Sequence, residues 1–339
     1  MEASQDQPAI ERAAPVAAAR SQERAGGQAL SVLAVPLNLQ VLQALSARPM
    51  RLGELRKATG LPAQTTLRGH LASLSDIGML RKEPTDRVPY AVENALTSMG
   101  EEMLFVASRL EAWLLQAPDG PIALESGSAK GAVKALVDGW DSRMLGILAE
   151  RPMSLTELDR EIPELSYPSL ERRLSSMRIA GLVEPCEGSG AGTPYRVTEW
   201  ARRGVAPLVA AGHCERVHLS RQSTPLTTVD IEAALMLALP LVRLPEELSG
   251  ECQVEVRASP GLVAESTGMR VVLDRGQVAS CATGLDGDAP SHVSGSAMDW
   301  FDAIKGGEPD RLDLSPGQLP AALVNGLSVA FGGRGRALA

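Results

Sequence analysis

An internal repeat limits what this chain can become more than any other feature of it. Sliding the sequence by 103 positions superposes Leu42, Leu45, Arg48, Pro49, Met50, Leu52, Glu54 and Leu55 on Leu145, Leu148, Arg151, Pro152, Met153, Leu155, Glu157 and Leu158. The same shift matches Leu67, Leu71, Ser73 and Gly78 to Leu170, Leu174, Ser176 and Gly181, giving twelve identities in the 39 pairs from Leu42 to Leu80. After a two-residue insertion, Pro89-Tyr90-Ala91-Val92 aligns with Pro194-Tyr195-Arg196-Val197. One small domain therefore occurs twice, and the last third of the chain is something else.

Periodicity gives the elements of the repeat. Leu39, Leu42 and Leu45 have helical spacing and stop before Arg48-Pro49, where the residue before proline is pushed out of the α region. Leu52-Gly53-Glu54-Leu55 opens a short second helix that ends near Gly60. Gly60-Leu61-Pro62 turns into a third helix with Leu67, Leu71 and Leu74 on its buried face, Pro62 in its first turn and Gly78 at its C-terminal end. Residues 79–82 and 88–92 read as two strands of a hairpin around 83–87. Helix, helix, turn, helix, hairpin is the order of a winged helix-turn-helix. On Leu-x-Glu-Leu, on the third helix closed by Gly78-Met79-Leu80, and on Pro-Tyr-x-Val followed by Leu96-Thr97-x-x-Gly100, the repeat resembles bacterial winged-helix regulators of the HxlR type, themselves MarR/ArsR-like. The resemblance spans 29–113 and 132–214, and it implies a transcription regulator that binds duplex DNA. It also implies that the closing helices, 101–116 and 200–219, pair protomers, as in a homodimer. Residues 117–121, Ala-Pro-Asp-Gly-Pro, read as a linker.

Charge separates the two copies. With 33 Lys and Arg against 41 Asp and Glu the net charge is −8, so any hold on DNA must come from a local patch. Between Gln40 and Tyr90 the basic residues Arg48, Arg51, Arg56, Lys57, Arg68, Arg81, Lys82 and Arg87 outnumber Glu54, Asp76, Glu83 and Asp86 by four. The N-terminal positions of the third helix offer Gln64, Thr65, Thr66, Arg68 and His70 to base edges, where Gln suits adenine and Arg suits guanine. Arg81, Lys82 and Arg87 in the hairpin suit phosphates. The second copy presents Tyr167, Ser169, Arg172 and Arg173, but Ser142 to Trp200 holds seven Arg against nine acids, and its wing, 184–192, has no basic residue. The first copy is therefore expected to be the stronger DNA contact. Winged helices also serve as protein-association modules, and that alternative stays open here.

The last third changes pattern after Pro225. Ile231, Ala234, Leu235, Ala238, Leu239 and Val242 line one broad helical stripe ended by Leu244-Pro245-Glu246. Strands over 252–256, 269–273 and 277–281 follow, the last two joined as a hairpin through Asp274-Arg275-Gly276. His292 to Gly295 leads into a helix over 297–305, and an amphipathic helix over 319–331 closes the chain. This order, with Gly295-Ser296-x-x-Asp299-Trp300-Phe301-x-Ala303-Ile304-x-Gly306, resembles the sterol carrier protein type 2 fold over 227–333. The resemblance implies an apolar ligand held between sheet and helices, with Leu235, Leu239, Trp300, Phe301, Ile304, Leu323, Leu327 and Phe331 as lining candidates. The same residues serve equally as plain core.

The fold class expected is α+β: a disordered tail over 1–28, winged helix-turn-helix domains at 29–116 and 130–219, and a small sterol-carrier-like α+β domain at 225–333. Cys186, Cys214, Cys252 and Cys281 lie apart, without CxxC or zinc spacing, so neither a disulfide framework nor a structural metal is indicated. His70, His213, His218 and His292 are scattered, and His213-Cys214 lies on a helical segment. No nucleophile elbow, phosphate loop or HExxH occurs, so no enzyme and no cofactor is expected. With only ten aromatic residues, single-strand binding through stacking platforms is disfavoured. No apolar run reaches the 18 or more residues of a membrane span, and a cytoplasmic protein is the expectation. The expected partners are duplex DNA and a hydrophobic small-molecule effector, with a homodimer possible. The competing expectation is a carrier of an apolar metabolite whose winged helices only associate.

Overall fold

The computed structural model describes residues 25–85, 91–187, 192–219, 226–258, 266–285, 289–306 and 309–332. A first unit runs α1 (Gly27–Leu33), α2 (Pro36–Leu45), α3 (Leu52–Ala58), α4 (Gln64–Asp76), β1 (Leu80–Thr85), β2 (Ala91–Leu96) and α5 (Ser98–Leu114). A second unit runs α6 (Gly127–Val137), α7 (Gly139–Glu150), β3 (Met153–Ser154), α8 (Leu155–Glu161), α9 (Tyr167–Ile179), β4 (Val183–Pro185), β5 (Pro194–Val197), α10 (Glu199–Arg203) and α11 (Val205–His218).

The two units repeat their local chemistry as well as their element order. Glu54 Oε2 accepts the Arg51 amide at 2.9 Å at the start of α3, and Glu157 Oε2 accepts the Ser154 amide at 2.7 Å at the start of α8. Gly78 and Gly181 close α4 and α9 with φ of 91° and 75°, a left-handed turn that glycine adopts without strain. Their carbonyls accept the hydroxyls of Thr97 at 2.6 Å and Thr198 at 2.8 Å, and each threonine in turn caps the next helix.

Strand register corrects the alignment of the wings. Leu80 pairs with Leu96 and Val183 with Val197, while Met50 bridges Asn94 and Met153 pairs with Tyr195. The counterpart of Pro194-Tyr195-Arg196-Val197 is thus Glu93-Asn94-Ala95-Leu96, and the second copy is two residues shorter where an insertion was expected. Burial explains why: Val92 is 57% exposed, whereas Leu96 and Val197 are 8% and 5% exposed and fill the same core position. The first hairpin also extends beyond the expected strands, to Thr85 on one side and Leu96 on the other. Pro62 lies just ahead of α4, whose N-cap is Ala63, rather than in its first turn.

Residues 25–28, at the end of the span expected to be a tail, are packed into the fold. Ala25 is buried, and Glu215 at the end of α11 accepts the Gly26 amide at 2.7 Å and the Ala29 amide at 2.8 Å. A buried carboxylate thus satisfies the N-terminal N–H groups of α1. Gly26 has φ 89°, and a Cβ there would stand 2.7 Å from the Leu208 carbonyl oxygen, so the close approach of α1 to α11 needs glycine.

Along the seam between units α5 lies beside α11, and α1 packs on both α11 and α6. Trp113 and Trp200 stack with ring centroids 4.4 Å apart and planes 4° from parallel. Each indole N–H donates to the other's backbone carbonyl, at 2.7 and 2.8 Å. Both polar handles are therefore satisfied inside a buried aromatic pair.

The remaining elements are α12 (Thr228–Ala238), β6 (Gly250–Arg257), β7 (Thr267–Asp274), β8 (Gln277–Thr283), β9 (Ser291–Ser296), α13 (Ala297–Gly306), β10 (Asp313–Leu314) and α14 (Gln318–Ala330). They form a five-stranded sheet in the order β10-β9-β6-β7-β8, with β6 and β9 parallel and the other pairs antiparallel. β7 and β8 are joined by a two-residue turn in which Arg275 and Gly276 both have positive φ, 47° and 70°. α12 ends at Ala238 instead of reaching Val242, because Pro240 lacks the N–H an α-helix needs and the chain tightens into a 3₁₀ turn over Leu239–Leu241. This third unit rests on the second: α12 packs on α7, with Ala233 against Gly146. Arg202 of α10 binds the seam, donating to the Met236 carbonyl at 3.0 Å and the Ala149 carbonyl at 3.1 Å.

Candidate nucleic-acid interface

α4 buries Leu67, Leu71 and Leu74 and presents the opposite face to solvent. Gln64, Thr65, Thr66 and Arg68 are all exposed there, as are Lys57 of α3 and Lys82 of β1. No side chain caps the N-terminus of α4, so its first amides point outward as donors. Leu61, in the turn before α4, has φ 60° and is 61% exposed, a backbone state unusual for leucine. Sequence reading passed over Leu61, and only its place between Gly60 and Pro62 hinted at a special conformation.

Two candidates have structural engagements. His70 Nδ1 lies 2.7 Å from Asn38 Oδ1 of α2, so His70 ties α4 to α2 beneath the open face rather than presenting itself on it. Arg81 donates to Glu83 at 2.7 Å and to the Leu96 carbonyl at 2.7 Å, which holds it along the hairpin. Arg87 lies outside the described residues.

In the second unit Tyr167 and Arg172 are exposed on α9, and Ser169 is half-buried. Arg173 is not free for DNA: its Nη1 donates to Asp141 at 2.6 Å and to Asp138 at 2.8 Å. Burial pushes the Asp141 carboxyl up from its ordinary range, against the pull of the Arg173 guanidinium. For Arg173 burial opposes the charge, yet the combined bonds to Asp141 and Asp138 outweigh it and hold the guanidinium charged. Arg196 pairs with Glu184 at 2.8 Å across the short wing. α9 carries Pro168 in its first turn, so it offers one amide fewer than α4.

The eight lining candidates of the third unit, Leu235, Leu239, Trp300, Phe301, Ile304, Leu323, Leu327 and Phe331, are at most 5% exposed and belong to one continuous apolar core. Trp300 Nε1 donates to the Glu255 carbonyl at 2.7 Å, fixing the ring against β6. These residues pack between the sheet and the helices. A groove of about 890 Å³ lies elsewhere, between the 117–122 linker, α6 and α9, lined by Pro118, Ile122, Lys134, Ala135, Arg172 and Ile179 among others. The linker was visible in the sequence, but its distance from α9 was not. Burial pushes the thiols of Cys214, Cys252 and Cys281 up to about 12, so all three are protonated at neutral pH.

An outward-facing helix in a helix-turn-helix frame, backed by a two-stranded wing, is the arrangement of a winged helix-turn-helix module. Residues 37–119, from α2 to just beyond α5, match the family described as HxlR-like helix-turn-helix. The chain thus carries an HxlR-like helix-turn-helix domain, of a family of DNA-binding transcription regulators. A search of curated proteins returns no match to the chain. No single helix among the described residues is long and apolar enough to cross a membrane.

Proposed function

We propose that this protein is a transcription regulator that reads duplex DNA with α4 of its first unit. The second unit is a second winged helix-turn-helix standing where a conventional dimer would place its partner protomer. The observation that carries this reading is the open face of α4, with Gln64, Thr65, Thr66 and Arg68 exposed around an uncapped N-terminus. Gln64 and Arg68 supply base readout, and Thr65, Thr66, Lys82 and Arg87 supply phosphate contacts. Tyr167, Ser169 and Arg172 of α9 assist, while Arg173 and His70 hold their helices in place. α5 beside α11 supports the single-chain pairing, since these are the helices that join protomers in HxlR-type regulators. The last unit is of the sterol-carrier type and serves here as a scaffold docked on α7. A hydrophobic small-molecule effector is served better by the groove between the linker, α6 and α9 than by the filled core of that unit, because the groove touches the second recognition helix. Its ligand must bind the DNA-competent and incompetent arrangements with different affinity.

The test is fluorescence anisotropy of the full-length chain on duplex DNA from upstream of its own gene, against scrambled duplex, across a salt series. A specific ratio of about 10³ or more with a steep negative salt slope is expected. Arg68→Ala combined with Arg87→Ala should lower the affinity and flatten the slope. Weak binding, indifferent to sequence, would overturn the reading in favour of a metabolite carrier.

A further inference from the structure

At the seam between the first two units three side chains with metal-binding atoms converge. They are Glu102 of α5, and Cys214 and His218 of α11. One ligand atom from each, a carboxylate oxygen, a sulfur and an imidazole nitrogen, lies within 4.8 Å of the others. Glu102 Oε2 stands 3.0 Å from His218 Nε2, and Glu102 Oε1 stands 3.5 Å from His213 Nε2. Cys214 and His218 are four residues apart on one helix and so share a face. Glu102 reaches them only because α5 lies beside α11, which is why no spacing in the sequence announced the group.

A zinc-class ion is held by sulfur at about 2.3 Å and by nitrogen and oxygen at about 2.0–2.2 Å in a tetrahedron, which sets neighbouring nitrogen and oxygen donors about 3.3 Å apart. Glu102 and His218, the carboxylate and imidazole ligands of the group, stand 3.0 Å apart, a few tenths of an ångström inside that value. Glu102 and a Cys214 thiolate together carry two negative charges, which a divalent ion neutralises. Lys305 and Asp302 of α13 and Arg216 of α11 also face the group, so a cation and an anion from the third unit offset each other beside it. Cys214 is buried, while His218 and Glu102 keep 17% and 26% of their side chains exposed, leaving an ion a way in.

We propose that Glu102, Cys214 and His218 bind a zinc-class divalent transition-metal ion that clamps α5 to α11, with water in the fourth position. Binding replaces the Cys214 S–H bond by a sulfur–metal bond and releases that proton to solvent. The thiolate selects against magnesium and calcium, which prefer oxygen. His213, on the other oxygen of Glu102, is a positioning residue that orients the carboxylate. The site stands whichever unit holds DNA, since it rests on the packing of α5 against α11 alone.

The experiment uses the full-length chain, reduced and stripped with a chelator, titrated with Co²⁺ and read by absorbance. A thiolate-to-cobalt charge-transfer band saturating at one equivalent, then bleached by Zn²⁺, is expected. Cys214→Ser should abolish the band and Cys186→Ser should leave it intact. His213→Gln should weaken binding by about 10-fold or more, in the range typical of groups that orient a ligand. Should Cys214→Ser fail to fold, His218→Gln, at a partly exposed position, tests the same site through a weakened band. Zn²⁺ should also raise the melting temperature of the wild type and not of the Cys214 variant. The absence of a saturable band in the wild type, or its survival in Cys214→Ser, would overturn the proposal and leave Glu102 and the histidines as a helix–helix ion pair only.

Discussion

One position shared by the first two units is filled by a histidine–asparagine hydrogen bond in the first and by an ion pair in the second. His70 against Asn38 joins α4 to α2, and 103 residues later Arg173 against Asp141 joins α9 to α7, with Asp138 as a further partner. Both exchanges change charge without changing place, because a buried polar group keeps its site only if its partner changes with it. The comparison shows that an arginine on a recognition helix is not by that fact a DNA contact. Arg68 and Arg173 look alike in sequence, yet one is exposed to solvent and the other is held by two carboxylates.

The units also differ at their closing helices, continuous in α5 and divided at Gly204 in α10 and α11. The largest effect is expected there. Trp113→Ala removes a buried ring stacked on Trp200 and should cost about 3–5 kcal/mol in urea-melt stability. A cost no larger than that of a surface change would mean that the seam does not join the units. Glu215→Gln comes next, because its carboxylate accepts two amides of the first unit from the second; about 1.5–3 kcal/mol is expected by the same melt. Arg68→Ala should weaken specific DNA binding by about 1–3 kcal/mol, whereas Arg173→Ala should lower stability and leave the salt slope of DNA binding unchanged. An equal change of slope in both variants would erase the distinction between the units. The smallest effect belongs to Asp141→Asn, which brings the first unit's chemistry into the second. Because burial raises the Asp141 pKa on folding, its contribution to stability is full below the ordinary Asp value of about 3.9 and is lost as pH rises through the higher folded value. The variant should therefore gain on the wild type as pH rises across that window, in thermal melts, while Asp138 keeps Arg173 paired.

Much of this was legible in the residues. The buried leucines of α4 and the glycines that end α4 and α9 follow from spacing and local conformation, and the structure places them accordingly. Register was not legible, since Pro-Tyr-x-Val occurs in both copies while core filling by Leu96 and Val197 decides the pairing. The partners of His70 and Arg173 were not legible because they lie 32 residues away on another helix. For the third unit's lining candidates the sequence left two readings open for a different cause. A pocket wall and a filled core have the same apolar composition, and only close packing tells them apart. Trp113 with Trp200, and Glu102 with His218, are long-range meetings that no local pattern announces.

Glu215 has a consequence in time. The N-terminal helix of the first unit finds its acceptor 189 residues further along the chain. At about 5–20 residues per second a ribosome needs roughly 10–40 s to deliver it. Throughout that interval α1 has no cap, and the nascent first unit waits with an unfinished end for the last helix of the second to emerge.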